Sequence, residues 1–242
     1  MSQNFNDQLV LIAGESGTGK SASLIDLPNH ERVMYLNCES GKKLPFKNKF
    51  KTFVITDPYQ VHEAFDHALN SPDFDIIVVD TLTFLMDMFE TQYVLPSTNG
   101  MQAWGQYGQF FKVLMQEKVA ASDKSVIILG HTRSELDEKA MEMKTAVPVK
   151  GALKNNGIEA YFSTVVATKK VSLKDLEGYS SGLLTLTEQD HLLGFKHVFQ
   201  TGLTKATIGE RLRSPMGMFT TAETFMNNDA GLLLKRLNEY YA

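Results

Sequence analysis

Only one cysteine, Cys38, occurs in the 242 residues, so an internal disulfide is excluded. A single thiol suits a reducing compartment, and we expect the protein to be cytoplasmic. Long apolar runs are also missing, since none approaches the roughly 18 residues of a membrane-spanning helix. Residues 1–7 contain neither a basic nor an apolar segment, so a secretory signal is not expected. No association with a membrane is predicted.

The sequence also lacks an excess of positive charge. Its 24 lysines and arginines are outnumbered by 28 aspartates and glutamates, which gives a net charge of −4. Global charge therefore provides no reason to expect nucleic-acid binding, which would require a local patch. There is no internal repeat or low-complexity segment. We predict one α/β domain over residues 1–242, with a core at about 8–220 and a C-terminal helix at about 229–242.

One motif carries chemistry. It reads G-x-x-x-x-G-K-S, the P-loop pattern. The predicted nucleotide-binding residues are Gly14, Glu15, Ser16, Gly17, Thr18, Gly19, Lys20, Ser21 and Ala22. An apolar run of strand length precedes the motif, and residues 21–27 can open a helix that Pro28 stops. Loop N–H groups and the helix dipole would hold phosphate, Lys20 would reach the β- and γ-phosphates, and Ser21 would bind Mg²⁺.

Apolar periodicity predicts the remaining elements. Strands are expected at 8–13, 33–39, 52–56, 74–80, 125–130 and 160–173, with late strands at 183–187 and 197–203 that could pair. Helices are expected at 57–70, 81–95, 102–121 and 232–241. Residues 132–157 are predicted to form a long mobile loop that could contain a turn or two of helix. Strands alternating with helices predict a doubly wound, mostly parallel sheet with an antiparallel C-terminal edge.

Three polar residues end predicted strands and are candidate catalytic groups with Lys20. Asp80 closes an unbroken β-branched run, where a carboxylate on a neighbouring strand could hold Mg²⁺ opposite the P-loop. Glu39 could accept a hydrogen bond from a water that attacks the γ-phosphate. His131 could sense that phosphate and pass its presence to the following loop. The alternatives are a helix-capping Asp80, a solvated Glu39 and a hydrogen-bonded, purely structural His131.

This order of elements resembles the RecA-type recombinase core. Residues 35–41 are similar to the strand that carries the catalytic glutamate in that family, and His131 stands where the family usually has glutamine. The compact size and residues 104–108 and 211–219 also resemble the minimal RecA-like ATPases of bacteriophages, some of which are single-strand annealing proteins. The resemblance implies a RecA-like P-loop NTPase fold that hydrolyses ATP with Mg²⁺.

The same resemblance implies partners. A ring or filament of identical subunits would act on single-stranded DNA in phage recombination or annealing, inside the bacterial host. A single-stranded DNA-binding protein is a further candidate partner. The second of two DNA-facing loops, 92–101 and 132–157, supplies the candidate cations Arg133, Lys139, Lys144, Lys150 and Lys154. Lys205, Arg211 and Arg213 are candidates for reaching the phosphates of a neighbouring subunit.

Two other classes of function stay open from the sequence. An ATP-switched module could bind nucleotide to order residues 132–157 and recruit a protein partner, with very slow turnover. A small-molecule kinase would share the P-loop, but such enzymes usually carry an arginine-rich lid. Residues 132–157 contain only Arg133, which favours the ATPase over the kinase.

Overall fold

One eight-stranded sheet organises the fold. The computed structural model describes residues 6–69, 71–138 and 141–242. Its strands are β1 (Leu9–Gly14), β2 (Val33–Asn37), β3 (Lys51–Val54), β4 (Ile76–Asp80), β5 (Ser125–His131), β6 (Arg133–Asp137), β7 (Glu142–Ala146), β8 (Thr164–Ser172), β9 (Phe195–Gln200) and β10 (Phe225–Asn227). The sheet order is β10-β9-β8-β1-β5-β4-β2-β3, and β6 and β7 form a separate hairpin.

The middle of the sheet is parallel and buried on both faces. β1 pairs in parallel with β5 and β8, and β4 pairs in parallel with β5 and β2. Every residue of β1, β2 and β4 is buried, as expected for unbroken apolar strands covered on both sides. The sequence predicts that the strand carrying Asp80 is adjacent to the P-loop strand. In the structure β5 lies between β1 and β4, so these two strands are not adjacent.

The C-terminal edge is antiparallel, as predicted, but its pairing differs from the prediction. β9 pairs with β8 over six register positions and with β10 on its other side. Residues 183–187 form no strand. They are held instead through Asn227, whose N–H donates to the Leu183 carbonyl over 2.8 Å. The predicted pairing of 183–187 with 197–203 is wrong because β8 runs on to Ser172 and occupies that edge of β9.

Separate apolar clusters cover the two faces of the sheet. The α-helices are α1 (Tyr59–Leu69), α2 (Leu82–Phe89), α3 (Gly100–Val113), α4 (Leu153–Asn156), α5 (Leu173–Leu176), α6 (Glu188–Leu193) and α7 (Ala230–Tyr241). Alternate residues of β1 point to opposite faces. Leu11 packs with α1, α2 and α3, whereas Ile12 packs with α7. In the helix predicted at 102–121, the aromatic residues Tyr107 and Phe111 are buried in the core.

Other helices are 3₁₀ or π turns. The 3₁₀ helices are Ser21–Leu24, His30–Arg32, Ile158–Tyr161 and Thr221–Glu223, and the π segments are Glu90–Val94 and Leu114–Val119. The π segments extend α2 and α3, so the helices predicted at 81–95 and 102–121 are confirmed with small shifts of their ends. Among the described residues, no helix combines the length and the apolar character needed to cross a membrane.

The helix predicted after the P-loop is much shorter than expected. Only Ser21–Leu24 is helical, and it is a single 3₁₀ turn. The Ser23 hydroxyl donates to the Lys20 carbonyl over 2.6 Å, a local bond that competes with helix propagation. Pro28 then blocks continuation. A four-residue turn has little macrodipole, so any phosphate here would depend on loop N–H groups rather than on a helix.

The segment 132–157 contains a hairpin where the sequence predicts a long loop, and the turn or two of helix that the prediction allowed is α4. β6 and β7 pair in antiparallel register, with Leu136 opposite Met143. The Thr145 N–H donates to the Gly209 carbonyl over 3.1 Å, which links the hairpin to the segment between β9 and β10. These cross-strand pairs satisfy backbone groups that a structureless loop would leave to water.

Candidate functional site

The P-loop lies at the carboxyl end of β1 and is closely packed against β8. A side chain on Gly14 would overlap the Thr168 hydroxyl, so only glycine fits at the start of the loop. The Thr18 hydroxyl donates to the Glu15 carbonyl over 2.8 Å and lies 2.5 Å from the Thr168 hydroxyl. The loop is therefore shaped by contacts from its own chain and from β8.

Lys20 lies across the loop rather than out in solvent. Its side chain is only 6% exposed, and its Nζ donates to the carbonyls of Gly14 and Glu15, each over 2.8 Å. Burial lowers the pKa of Lys20 to about 8, against the opposing attraction of Asp80 and Glu39. The ammonium is held in place by carbonyl oxygens that a phosphate could replace.

Asp80 ends β4 beside the last residue of the P-loop motif. Its Oδ2 accepts hydrogen bonds from the Ser21 hydroxyl over 3.0 Å and from the Tyr35 hydroxyl over 2.6 Å. Its Oδ1 is buried and has no hydrogen-bond partner within the described part of the chain. Burial raises the pKa of Asp80, and the nearby Glu39 charge raises it further, while the Tyr35 and Ser21 bonds oppose the shift.

The pair formed by Ser21 and Asp80 suits a magnesium ion. A hydroxyl and a carboxylate are hard oxygen donors, and Asp80 Oδ1 is an acceptor with no partner among the described residues. Those residues contain no cluster of three or more histidines, cysteines or carboxylates arranged for a metal. A cation bound here would therefore complete its shell with phosphate and water oxygens, which is how Mg²⁺ usually binds with nucleotides.

Glu39 lies two residues beyond β2 and is held by two partners. Lys42 Nζ donates to its Oε2 over 2.8 Å, and His131 Nε2 lies 3.3 Å from its Oε1. Burial raises the pKa of Glu39, but the bonds from Lys42 and His131 outweigh it, so the pKa lies below the ordinary value. Glu39 is thus an oriented carboxylate at neutral pH rather than a solvated one.

His131 ends β5 between the P-loop and Glu39. Burial, together with the charge of Lys20, lowers its pKa, so the ring is neutral near pH 7. Since a carboxylate only accepts, the Nε2 atom carries the proton directed at Glu39. The backbone N–H of His131 donates to the Thr83 hydroxyl over 3.0 Å. The next residue, Thr132, donates its N–H to the Gly14 carbonyl over 3.1 Å, which links the base of the hairpin to the P-loop.

These groups line one cavity of about 730 Å³. Lys20, Ser21, Glu39, Asp80 and His131 all contribute to its wall, so the structure brings together every residue proposed as catalytic. Ser16, Gly17 and Gly19 of the motif line the same cavity. Other lining residues, among them His197 and Asn228, were not singled out from the sequence.

Five site residues were missed from the sequence. They are Tyr35, Lys42, Thr168, His197 and Asn228. Tyr35 lies inside the strand predicted at 33–39, where nothing marks it as polar chemistry. Lys42 follows Glu39 by three residues, and this spacing is a signal that could have been used. No sequence pattern marks the other three, which come from distant parts of the chain.

His197 and Asn228 contact the P-loop backbone directly. His197 Nδ1 lies 2.7 Å from the Thr18 carbonyl oxygen, and Asn228 Nδ2 donates to the Gly19 carbonyl over 2.9 Å. Gly19 has a φ of +109°, and a Cβ there would lie 2.7 Å from Asn228 Nδ2. The loop therefore needs glycine at this position both for its backbone angle and for these contacts.

The cations predicted to reach a neighbouring subunit lie away from this cavity. Arg211 pairs with the buried Glu159 over 3.1 Å, and Arg213 donates to the carbonyls of Ala160 and Phe162. Lys205 is exposed. Arg211 does line a second cavity of about 410 Å³, which P-loop residues Gly14 and Thr18 also border. Their role in a neighbouring site stays a prediction.

The cations predicted to face DNA are mostly paired within the chain. Arg133 lies 3.5 Å from Glu135, Lys144 pairs with Asp137, and Lys150 pairs with Glu90 over 2.6 Å. Lys154 is exposed in α4. Lys139 lies outside the described residues. Within the hairpin, two described cations accompany four carboxylates, so its charge does not favour a polyanion.

A comparison with protein families agrees with the P-loop geometry. Residues 6–192 match the sequence profile of the family described as AAA domain, and the chain belongs to this family of P-loop nucleotide-binding proteins. No curated protein matches the sequence. Among solved structures, a crystal structure of the RadB recombinase aligns with 13% identity and a TM-score of 0.38, covering 69% of this chain and 77% of that chain.

Proposed function

We propose that the protein hydrolyses ATP with Mg²⁺ in the 730 Å³ cavity. The observation that carries this proposal is the placement of Glu39, held by His131 and Lys42, in the same cavity as Lys20, Ser21 and Asp80. P-loop hydrolysis needs a lysine and a metal on the phosphates and an acceptor that orients the attacking water. One cavity contains candidates for all three.

Lys20 neutralises phosphate charge in this proposal. Its ammonium donates to two loop carbonyls, those of Gly14 and Glu15. Bound β- and γ-phosphates offer stronger, charged acceptors, so Lys20 exchanges neutral partners for anionic ones. The exchange needs only a small movement, because the ammonium already lies over the loop that would surround the phosphates.

Ser21 and Asp80 would hold the magnesium ion. When bound, Mg²⁺ supplies charge neutralisation for the transferring phosphate. The Ser21 hydroxyl would turn from Asp80 to the metal, and Tyr35 would continue to donate to Asp80 Oδ2. The buried Oδ1 atom would gain a partner that it lacks among the described residues.

Glu39 orients the water. Its pKa lies below the ordinary value, so it is an acceptor over the physiological pH range. His131 and Lys42 fix the two oxygens of the carboxylate, which limits its rotation. Positioning of this kind, together with proton acceptance in the transition state, typically contributes about 10²- to 10⁴-fold in rate.

The test is Glu39→Gln, measured by phosphate release and by ATP binding. We expect turnover to fall by about 10²-fold or more with ATP affinity retained, because the amide keeps the size of the side chain but loses the charge. Glu63→Gln, on the exposed face of α1, is the matched control. An equal, negligible rate in both proteins would favour an ATP-switched binding module. Transfer of phosphate to a nucleoside instead of water would favour a kinase.

Single-stranded DNA binding, a role in phage recombination or annealing, and assembly into a ring or filament stay predictions from the sequence resemblance. A filter-binding titration with single-stranded DNA, with and without ATP and across salt, tests the first of them. Phosphate contacts would make the affinity fall steeply with salt. Absence of binding at low salt, with either nucleotide state, would contradict the DNA role.

A further inference from the structure

Two residues from the C-terminal part of the chain hold consecutive carbonyls of the P-loop. His197 in β9 contacts the Thr18 carbonyl, and Asn228, between β10 and α7, contacts the Gly19 carbonyl. Both residues lie beyond residue 192, where the match to the AAA domain family ends. We infer that His197 and Asn228 are positioning residues that aim the N–H groups of Gly19 and Lys20 into the phosphate-binding loop. We call this pair the carbonyl clamp.

Peptide geometry explains how the clamp would act. In a trans peptide unit, the C=O of one residue and the N–H of the next point in opposite directions. The peptide units that join Thr18 to Gly19 and Gly19 to Lys20 are both trans. Drawing the Thr18 carbonyl toward His197 therefore turns the Gly19 N–H away from it. Asn228 acts in the same way on the N–H of Lys20.

The direction of both bonds follows from the acceptors. A carbonyl oxygen cannot donate, so His197 Nδ1 must carry a hydrogen. For Asn228, the amide orientation that places Nδ2 on the Gly19 carbonyl leaves Oδ1 buried without a partner among the described residues. The reversed orientation would place two oxygens against each other. Both clamp residues are thus donors to the loop.

The clamp is mounted on rigid elements. His197 is opposite Lys170 in the β8–β9 ladder. Asn228 lies between β10 and Asp229, whose side chain accepts from the Leu232 N–H at the start of α7. Local bonding holds part of the loop as well, since the Gly19 carbonyl also accepts from the Ser23 N–H over 2.9 Å. Asn228 therefore adds to a bond made by the short turn after the motif, whereas His197 supplies the side-chain contact to the Thr18 carbonyl.

The inference rests on the proposed function, since it concerns phosphate binding at the same site. His197→Ala and Asn228→Ala are each expected to weaken ATP binding roughly tenfold, as one donor to a charged group loses its alignment. His197→Asn, whose side-chain amide can place an N–H near the position of Nδ1, should restore most of the affinity. His191→Ala and Asn155→Ala, both exposed, are the matched controls. Affinities are measured by calorimetry with ATP and with pyrophosphate.

A second readout does not depend on nucleotide. The ¹³C resonances of the Thr18 and Gly19 carbonyls in the nucleotide-free protein report whether each oxygen accepts a hydrogen bond. His197→Ala should move the Thr18 signal and Asn228→Ala the Gly19 signal. If an alanine variant does not fold, Asn228→Asp, which keeps the shape and removes the donor, replaces it and should bind ATP more weakly still.

The outcomes separate the two proposals. Unchanged carbonyl signals in folded variants, or unchanged ATP affinity in variants of a wild type that binds ATP, would overturn the clamp. Carbonyl signals that move as expected in a protein that binds neither ATP nor pyrophosphate would support the clamp geometry and overturn the proposed ATPase. Loss of affinity in the alanine variants without recovery in His197→Asn would reduce His197 to a packing residue and overturn its positioning role.

Discussion

The imidazole Nε2 of His131 lies 3.3 Å from Glu39 Oε1, so the end of β5 holds a carboxylate that follows β2. One strand, β4, separates β5 from β2 in the sheet, and the two side chains meet beyond its tip. The contact makes the orientation of Glu39 depend on His131, which directly precedes the segment that contains β6 and β7. It also places both side chains on the wall of the cavity that contains Lys20.

His131→Ala is expected to reduce the turnover number by roughly tenfold and leave ATP affinity within about twofold, because Glu39 loses one of the two groups that orient it. His131→Gln, which retains a side-chain N–H, should recover most of the rate. Steady-state phosphate release measures the turnover number, and calorimetry measures the affinity for ATP. Equal loss in the alanine and glutamine variants would contradict an orienting role.

The charge of Lys20 predicts how ATP affinity depends on pH. Its pKa is about 8 in the nucleotide-free protein, so the ammonium form that binds phosphate dominates below that pH. Above it, affinity should fall by up to about tenfold per pH unit until the pKa of the bound form is reached. Lys20→Arg stays charged and should give a flat profile. A wild-type affinity that is constant between about pH 7 and about pH 10 would contradict the lowered pKa.

The same lysine should destabilise the nucleotide-free fold. Its folded-state pKa is lowered from 10.5 to about 8, so the unfolded chain binds the proton more tightly. Stability therefore rises with pH between those two values, and at pH 7 the full penalty is present. Lys20→Met should raise the free energy of unfolding by about 2 kcal/mol at pH 7 and remove this pH dependence. Urea unfolding measures it, with the exposed Lys235→Met as control.

Tyr35→Phe should shift the acidic side of the pH–activity profile to higher pH. The Tyr35 hydroxyl donates to Asp80 and opposes the rise in the pKa of Asp80 that burial causes. Without this bond the pKa rises further, so Asp80 loses its charge at a higher pH by up to roughly one unit. Magnesium-dependent phosphate release across pH tests this, with the exposed Tyr241→Phe as control. An unchanged acidic side of the profile would show that Asp80 ionisation does not limit activity.

Gly14→Ala and Gly105→Ala should have opposite effects on stability. A Cβ on Gly14 would overlap the Thr168 hydroxyl, so we expect a loss of about 1–3 kcal/mol. Gly105 lies in α3, and outside its chain neighbours and the nearby backbone of its own helix no heavy atom lies within 4 Å of the position that its Cβ would occupy. Alanine should therefore stabilise the protein by about 0.5–1 kcal/mol. Denaturant unfolding of both variants is the measurement. Unchanged or increased stability of Gly14→Ala would contradict the close packing around Gly14, and a loss of stability in Gly105→Ala would contradict the open space at Gly105.

The positions of the polar residues that follow the strands were predictable, because parallel strands bring their carboxyl ends to one edge of a sheet. Asp80 and His131 could be placed from apolar runs alone, and Glu39 from its position just after such a run. The antiparallel edge was predicted as a feature but not in its pairing, since β9 could be paired only once the length of β8 was known. Residues 132–157 were misread because alternating polar and apolar residues in a charged hairpin give a weak signal.

Local pattern was enough to establish the P-loop, the parallel core strands and the three polar residues that follow them, because these features depend on neighbouring residues and on the geometry that all parallel sheets share. Three-dimensional packing was needed to show that β5 separates β1 from β4 and that Tyr35 bonds to Asp80. It was also needed to bring His197 and Asn228 to the P-loop carbonyls. Those contacts join residues about 45 to 209 positions apart. No local pattern encodes them, because they depend on how distant strands of the sheet pack against the start of the chain.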